Sequence, residues 1–149
     1  MKKYKGIELF AGAGGLALGL EQAGFEHIGL IEIDKSSCKT LKINRPKWNI
    51  LCDDIKNIAL KNLEKEFKIK KFELDLLSGG APCQSFIYAG KRLGLEDARG
   101  TLFYYYAIFL EKLQPKVFLF EDVKGLLNHD QGRTFKTIYD ILEKQNYNL

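Results

Sequence analysis

Short apolar runs alternate along this chain with segments whose apolar residues recur at three- or four-residue intervals. The first kind predicts buried strands and the second amphipathic helices. Gly6 to Phe10 reads as a strand, followed by the turn Ala11-Gly12-Ala13-Gly14-Gly15. A helix follows with Leu16, Leu20 and Ala23 on one face and Gly24 as its stop. His27 to Ile33 is a second strand, Lys35 to Asn44 a helix ended by Pro46, and Asn49 to Asp53 a short third strand. Ile55, Ile58, Ala59, Leu63 and Phe67 form the apolar stripe of one helix whose lysine-rich outer face is solvated. Leu74 to Ser78 is a fourth strand. Ala81 to Gly100 has no period and reads as a long loop, which in compact domains is usually functional. Leu102, Tyr106, Phe109, Leu110 and Leu113 mark a helix with an apolar stripe. Val117 to Phe120 is uninterruptedly apolar, the pattern of a strand deep in a parallel sheet. Phe135, Ile138 and Leu142 mark a last helix, and Tyr147-Asn148-Leu149 reads as the edge of another strand. Regular alternation of strand and helix predicts an α/β domain over 1–149 with a doubly wound, mainly parallel sheet and ligands at the carboxyl ends of its strands.

Composition narrows the partners only a little. The 149 residues suffice for one domain with a real core, and 46% hydrophobic with 28% charged residues is ordinary for a globular chain. No apolar run reaches membrane-span length, and Glu8 interrupts the apolar stretch behind the basic start, which argues against a secretory signal. A net charge of +4 permits a polyanionic partner without demanding one. Cys38, Cys52 and Cys83 form no C-x-x-C pair, so no zinc site is expected. The odd count predicts reduced thiols in a cytoplasm, with Cys38 and Cys52 as small buried hydrophobes.

Three places carry chemistry. Phe10-Ala11-Gly12-Ala13-Gly14-Gly15 joins a strand to a helix, where glycines let a ligand approach the backbone near the helix N-terminus. Glu32, twenty positions after Gly12, ends the next strand, where a carboxylate accepts hydrogen bonds from ribose hydroxyls. Asp54, after the third strand, suits an adenine amino group. Together these point to an adenosine-containing cofactor. Gly79-Gly80-Ala81-Pro82-Cys83-Gln84-Ser85 sets a cysteine at the carboxyl edge, where a thiolate is a strong nucleophile. Phe120-Glu121-Asp122-Val123 ends the fifth strand, so that a carboxyl group and the thiol share one cleft.

In this order the motifs closely resemble the DNA (cytosine-5) methyltransferase family. They are Glu8 to Gly15, Glu32-Ile33-Asp34, Asp54-Ile55, Pro82-Cys83-Gln84-Ser85-Phe86, Ala89-Gly90-Lys91-Arg92, Asp97 to Phe103 and Glu121-Asp122-Val123. The likeness runs over essentially the whole chain. It implies the Rossmann-like fold of S-adenosylmethionine-dependent methyltransferases, S-adenosylmethionine as donor and S-adenosylhomocysteine as product. Phe10, Ala11, Gly12, Gly14, Gly15 and Leu16 would hold the methionine end. Glu32 would bind the ribose, Ile33 would pack on the adenine, Asp54 with Ile55 would meet its amino edge, and Gly80, Pro82 and Leu102 would line the pocket. Cys83 would be the nucleophile and Glu121 the proton donor, with Arg99 assisting. Gln84 and Ser85 would contact the substrate, and Lys91 and Arg92 its phosphates. Double-stranded DNA would be the partner, in a restriction-modification setting, with no metal and no membrane.

Ala81, Ile87 and Asp122 depart from the family's usual residues. Asp122 stands where Asn normally follows the catalytic Glu, and an ionised carboxylate cannot donate a hydrogen bond. The resemblance also implies a paired-arginine motif, a target recognition region and a final helix that this sequence lacks, hence either a missing C-terminal part or a complementing C-terminal subunit. A catalytically silent remnant and a tRNA cytosine-5 methyltransferase are the competing readings. A nicotinamide-dependent dehydrogenase leaves Pro82-Cys83-Gln84 and Glu121 unexplained.

Overall fold

The structure is a computed structural model and describes residues 3–82 and 101–149. Among the described residues five parallel strands form one sheet: β1 (Tyr4–Leu9), β2 (Phe25–Glu32), β3 (Ile50–Cys52), β4 (Leu76–Gly79) and β5 (Val117–Phe120), in the order β3-β2-β1-β4-β5. The order reverses between β1 and β4. That is where an open α/β sheet opens a crevice at its carboxyl edge.

Helices cover both faces. The two faces follow from alternation along β1, where Ile7 and Leu9 point into the larger core and Glu8 points the other way. On the Glu8 side lie α1 (Gly15–Gln22) and α2 (Lys35–Asn44), closed over a small cluster of Ala11, Ala17, Leu30 and Leu41. On the other side lie α3 (Ile55–Ala59), α4 (Leu63–Phe67) and α5 (Leu102–Leu113), and α6 (Arg133–Glu143) adds Ile138, Ile141 and Leu142 to the same core. Tyr106 of α5 is fully buried and directs its hydroxyl at the carbonyls of Leu77, at 3.3 Å, and Leu119, at 3.2 Å. One phenol thereby braces β4 and β5 just below their carboxyl ends, and burial pushes its pKa well above the ordinary range.

Several expectations change in three dimensions. The stripe from Ile55 to Phe67 is not one helix. The chain breaks between α3 and α4, where Asn62 caps the second piece by accepting from the Lys65 N–H. In α1 the buried residue is Ala17, and Leu16 and Leu20 are only half-buried, because a small side chain lets the helix close against the sheet. Phe135 is exposed on α6. β5 has the expected bounds but lies at the sheet's edge, with Val117 59% and Leu119 42% exposed. The tail forms no strand: Tyr147 donates to the Pro115 carbonyl at 2.7 Å and packs edge-on against Phe118. Two 3-10 turns, Lys124–Leu127 and His129–Gly132, occupy the stretch before α6. Cys38 and Cys52 are joined in a disulfide between α2 and β3, and Cys52 is exposed, which corrects the expectation of two buried thiols. Separate stretches of sequence place these cysteines with Cα atoms 5.9 Å apart, within disulfide reach.

Candidate cofactor and active site

The carboxyl ends of β1 to β4 converge on a groove of about 460 Å³ lined by Phe10, Ile31, Glu32, Ile33, Asp53, Asp54, Ile55, Lys56, Gly80, Pro82 and Leu102. Its walls are largely apolar and its hydrogen-bonding groups are mostly carboxylates. Such a surface suits a flat heteroaromatic ring carrying hydroxyls.

Each wall residue has a local cause. β1 ends at Leu9, and Phe10 takes a left-handed conformation with φ of 58°, which turns the chain and sets its ring in the groove. Gly12 (φ 54°) and Gly14 (φ 93°) continue the turn. A Cβ on Gly14 would sit 2.5 Å from Leu41 Cδ2, so this glycine lets α1 approach α2. A Cβ on Gly12 or Gly15 would meet nothing, which leaves room beside the backbone for a ligand. Glu32 clasps the turn from β2: Oε2 accepts from the Gly12 N–H at 2.7 Å and Oε1 from the Asp34 N–H at 2.8 Å. A carboxylate has about four acceptor positions, so two remain for ribose hydroxyls.

Ile33 follows β2 and is 63% exposed, an apolar surface on the groove rim. Asp34 caps α2 through the Ser37 N–H, a bond that holds its carboxyl below the usual range. After β3, Asp53 accepts from the Asn57 side chain at 2.8 Å and from the Asp54 N–H at 2.7 Å, and these bonds keep it ionised to lower pH than usual. Asp54 caps α3 through one oxygen, at 2.9 Å from the Lys56 nitrogen, which leaves Oδ2 for a donor such as an exocyclic amine. The groove residues fit the adenosine half of S-adenosylmethionine in shape and donor-acceptor character.

The β4 turn carries the second half of the site. Gly79 accepts from the Glu121 N–H at 3.0 Å. A Cβ on Gly80 would stand 2.5 Å from Glu121 Oε2 and 2.6 Å from the Glu121 carbonyl. Glycine at position 80 thus allows the Glu121 side chain to lie against the turn that leads to Cys83. Glu121 is exposed, and Asp122 Oδ1 accepts from the Val123 N–H at 2.7 Å, a bond that an amide oxygen makes equally well. Cys83, Gln84, Ser85, Ile87, Lys91, Arg92 and Arg99 lie outside the described residues.

Of the expected cofactor residues, Phe10, Glu32, Ile33, Asp54, Ile55, Gly80, Pro82 and Leu102 meet in the groove. Ala11 is buried in the small core and Gly14 faces Leu41, so these two serve the turn from behind, and Leu16 stands half-buried on α1. Sequence reasoning missed Ile31, Asp53 and Lys56. The paired aspartates at a strand end were the available signal for Asp53. It also missed Glu8, which is 2% exposed beneath the glycine turn.

The C-5 cytosine-specific DNA methylase family matches residues 4–149. This chain belongs to that family. It is 53% identical over 148 residues to the type II methyltransferase M.Sau96I of Staphylococcus aureus, covering 99% of this chain and 34% of that protein. It is 40% identical over 132 residues to the type II methyltransferase M.AquIA of Picosynechococcus, covering 89% of this chain and 53% of that protein. The crystal structure of DNMT2 from Spodoptera frugiperda superposes with a TM-score of 0.69 at 27% identity, over 97% of this chain and 42% of that one. The chain spans about a third of the length of the staphylococcal relative.

Proposed function

We propose that this chain is the cofactor-binding, cysteine-bearing front of a cytosine-5 DNA methyltransferase of a restriction-modification system, acting on double-stranded DNA in the cytoplasm. The observation that carries the reading is the placement of Glu121 against the Gly79-Gly80 turn, beside an adenosine-shaped groove, in a chain of this family.

Carbon 5 of cytosine is too weak a nucleophile to be methylated directly. Cys83, three residues beyond Gly80, would add as thiolate to carbon 6 and convert the ring to an enamine. Glu121 would give a proton to ring nitrogen 3 and spread the developing charge. S-adenosylmethionine, held by Glu32, Ile33 and Asp54 with the glycine turn, supplies the electrophilic methyl group when bound. Loss of the carbon-5 proton with expulsion of Cys83 then restores the aromatic ring. The base must leave the duplex stack to reach such a pocket, and Lys91, Arg92 and Arg99 would hold phosphates around it. Arg99 would also assist the chemistry.

A complementing C-terminal polypeptide belongs to this reading. Val117, Leu119, Leu127, Phe135 and Tyr139 expose apolar surface along β5, the following turn and α6, suited to cover by such a partner. M.AquIA, of which 132 matched residues make up 53%, is a relative of much shorter length than the staphylococcal one. Among the described residues no helix is long and apolar enough to cross a membrane, and no cluster of three or more metal-ligating side chains occurs.

Transfer of labelled methyl groups to DNA and to tRNA tests the proposal, with the chain alone and with the C-terminal part of a relative. Methylation of DNA that requires the second polypeptide and vanishes in Cys83→Ser is the expected result. Transfer to tRNA instead would replace DNA as substrate. No transfer from a folded, complemented chain would identify a silent remnant.

A further inference from the structure

The groove holds one carboxylate more than the roles above use. Asp53 follows β3, stands half-buried and lines the groove beside Asp54. Its backbone N–H donates to the Glu32 carbonyl at 3.1 Å, which fixes it where the ends of β2 and β3 meet.

The two oxygens of this side chain are in different circumstances. Oδ1 accepts from the Asp54 N–H at 2.7 Å and from the Asn57 side-chain amide at 2.8 Å. Oδ2 makes no hydrogen bond among the described residues. Two donors that converge on one atom hold the carboxylate in one orientation, because turning it would break both bonds. They also keep it ionised to lower pH than usual. Asp54 is divided in the same way, with Oδ1 on the Lys56 N–H at 2.9 Å. Consecutive residues at one strand end thus each keep one carboxylate oxygen for a ligand. An ionised carboxylate can only accept, so the ligand group that meets this pair must donate. A planar amine with two hydrogens fits two neighbouring acceptors. Glu32, on the adjacent strand, is left for the ribose hydroxyls.

We propose that Asp53 is a specificity-determining residue for the base of the cofactor. With Asp54 it accepts from the two hydrogens of the adenine amino group, and it disfavours a purine that carries an oxygen in that place. The oxygen would set lone pairs against two carboxylates and leave both without a donor. Such a role rests on the S-adenosylmethionine reading of the groove. It also predicts an inversion. In Asp53→Asn the amide oxygen stays on the two donors that hold Oδ1, which places the amide nitrogen where Oδ2 was. An acceptor of the amino group becomes a donor to a carbonyl.

The test is calorimetric titration of the full chain with S-adenosylhomocysteine and with S-inosylhomocysteine, in which a carbonyl replaces the amino group. A thermal melt shows that each variant is folded. The parent should bind the adenosyl compound about 100-fold or more tightly than the inosyl one, since two hydrogen bonds to charged acceptors are at stake. Asp53→Asn should narrow that preference about tenfold or more, by weaker binding of the adenosyl compound and tighter binding of the inosyl one. Asp53→Ala should weaken the adenosyl compound without weakening the inosyl one. Equal losses for both ligands in the Ala variant would assign Asp53 to the support of α3 alone and overturn the proposal. A folded Asn variant that keeps the parent's preference would overturn it too. A parent that binds both compounds equally would overturn the role of Asp53 and leave the cofactor groove standing. A parent that binds neither would refute the cofactor reading itself, and the specificity role with it.

Discussion

Glu8 makes a prediction about stability that does not depend on any ligand. Burial pushes its carboxyl from 4.5 up to about 7, partly offset by the Ala17 N–H. The folded chain therefore holds this proton more tightly than the unfolded one. The resulting stabilisation is fully present below the unfolded value of 4.5 and is lost as the pH rises through about 7. At about 1.4 kcal/mol per pKa unit the shift corresponds to about 3 kcal/mol, of which roughly 2.5 disappears between pH 5 and pH 8. That is a large share of the stability of an ordinary domain. Glu8→Gln keeps the shape and removes the titration. Urea unfolding of both proteins across this range, at one ionic strength and one disulfide state, isolates the group because every other titration cancels in the difference. The parent should lose about 2–3 kcal/mol relative to the Gln variant on going from pH 5 to pH 8. Parallel stability curves would refute the assignment of a buried, proton-holding carboxyl at this position.

Three further outcomes follow from particular contacts. Gly14→Ala meets both an unfavourable φ and Leu41, and should cost about 1–3 kcal/mol in a thermal or urea melt, while Gly15→Ala, whose added carbon meets nothing, should fold at least as well. Reduction of the Cys38–Cys52 bridge, which closes a loop of sequence separation 14, should lower stability by up to about 3 kcal/mol. Cys52→Ser should abolish the sensitivity to reductant, read as the urea midpoint with and without dithiothreitol. Asp122→Asn preserves the bond to the Val123 N–H and should raise methyl transfer of the complemented enzyme, which a side-by-side kinetic comparison checks.

Much of this protein was legible in its sequence because the signals are local. Strand and helix order follows from apolar period, and α2 has the expected bounds, Lys35 to Asn44. Phe10, Glu32 and Asp54 meet in one groove because strand ends in a parallel sheet converge at the same edge. What the sequence could not determine depends on which segments pack together. Val117 to Phe120 reads the same whether it is central or at an edge, since apolarity records burial and not neighbours; only the pairing of β4 with β5 and the exposure of Val117 and Leu119 decide it. Ile55 to Phe67 keeps one helical period across a break, because both short helices turn their apolar residues to the same core. Cys38 and Cys52 become partners only when α2 folds back beside β3. Glu8 is the sharpest case. In the sequence it is a charge interrupting an apolar run. Its burial appears only when β1 takes the middle of the sheet with α1 packed over it.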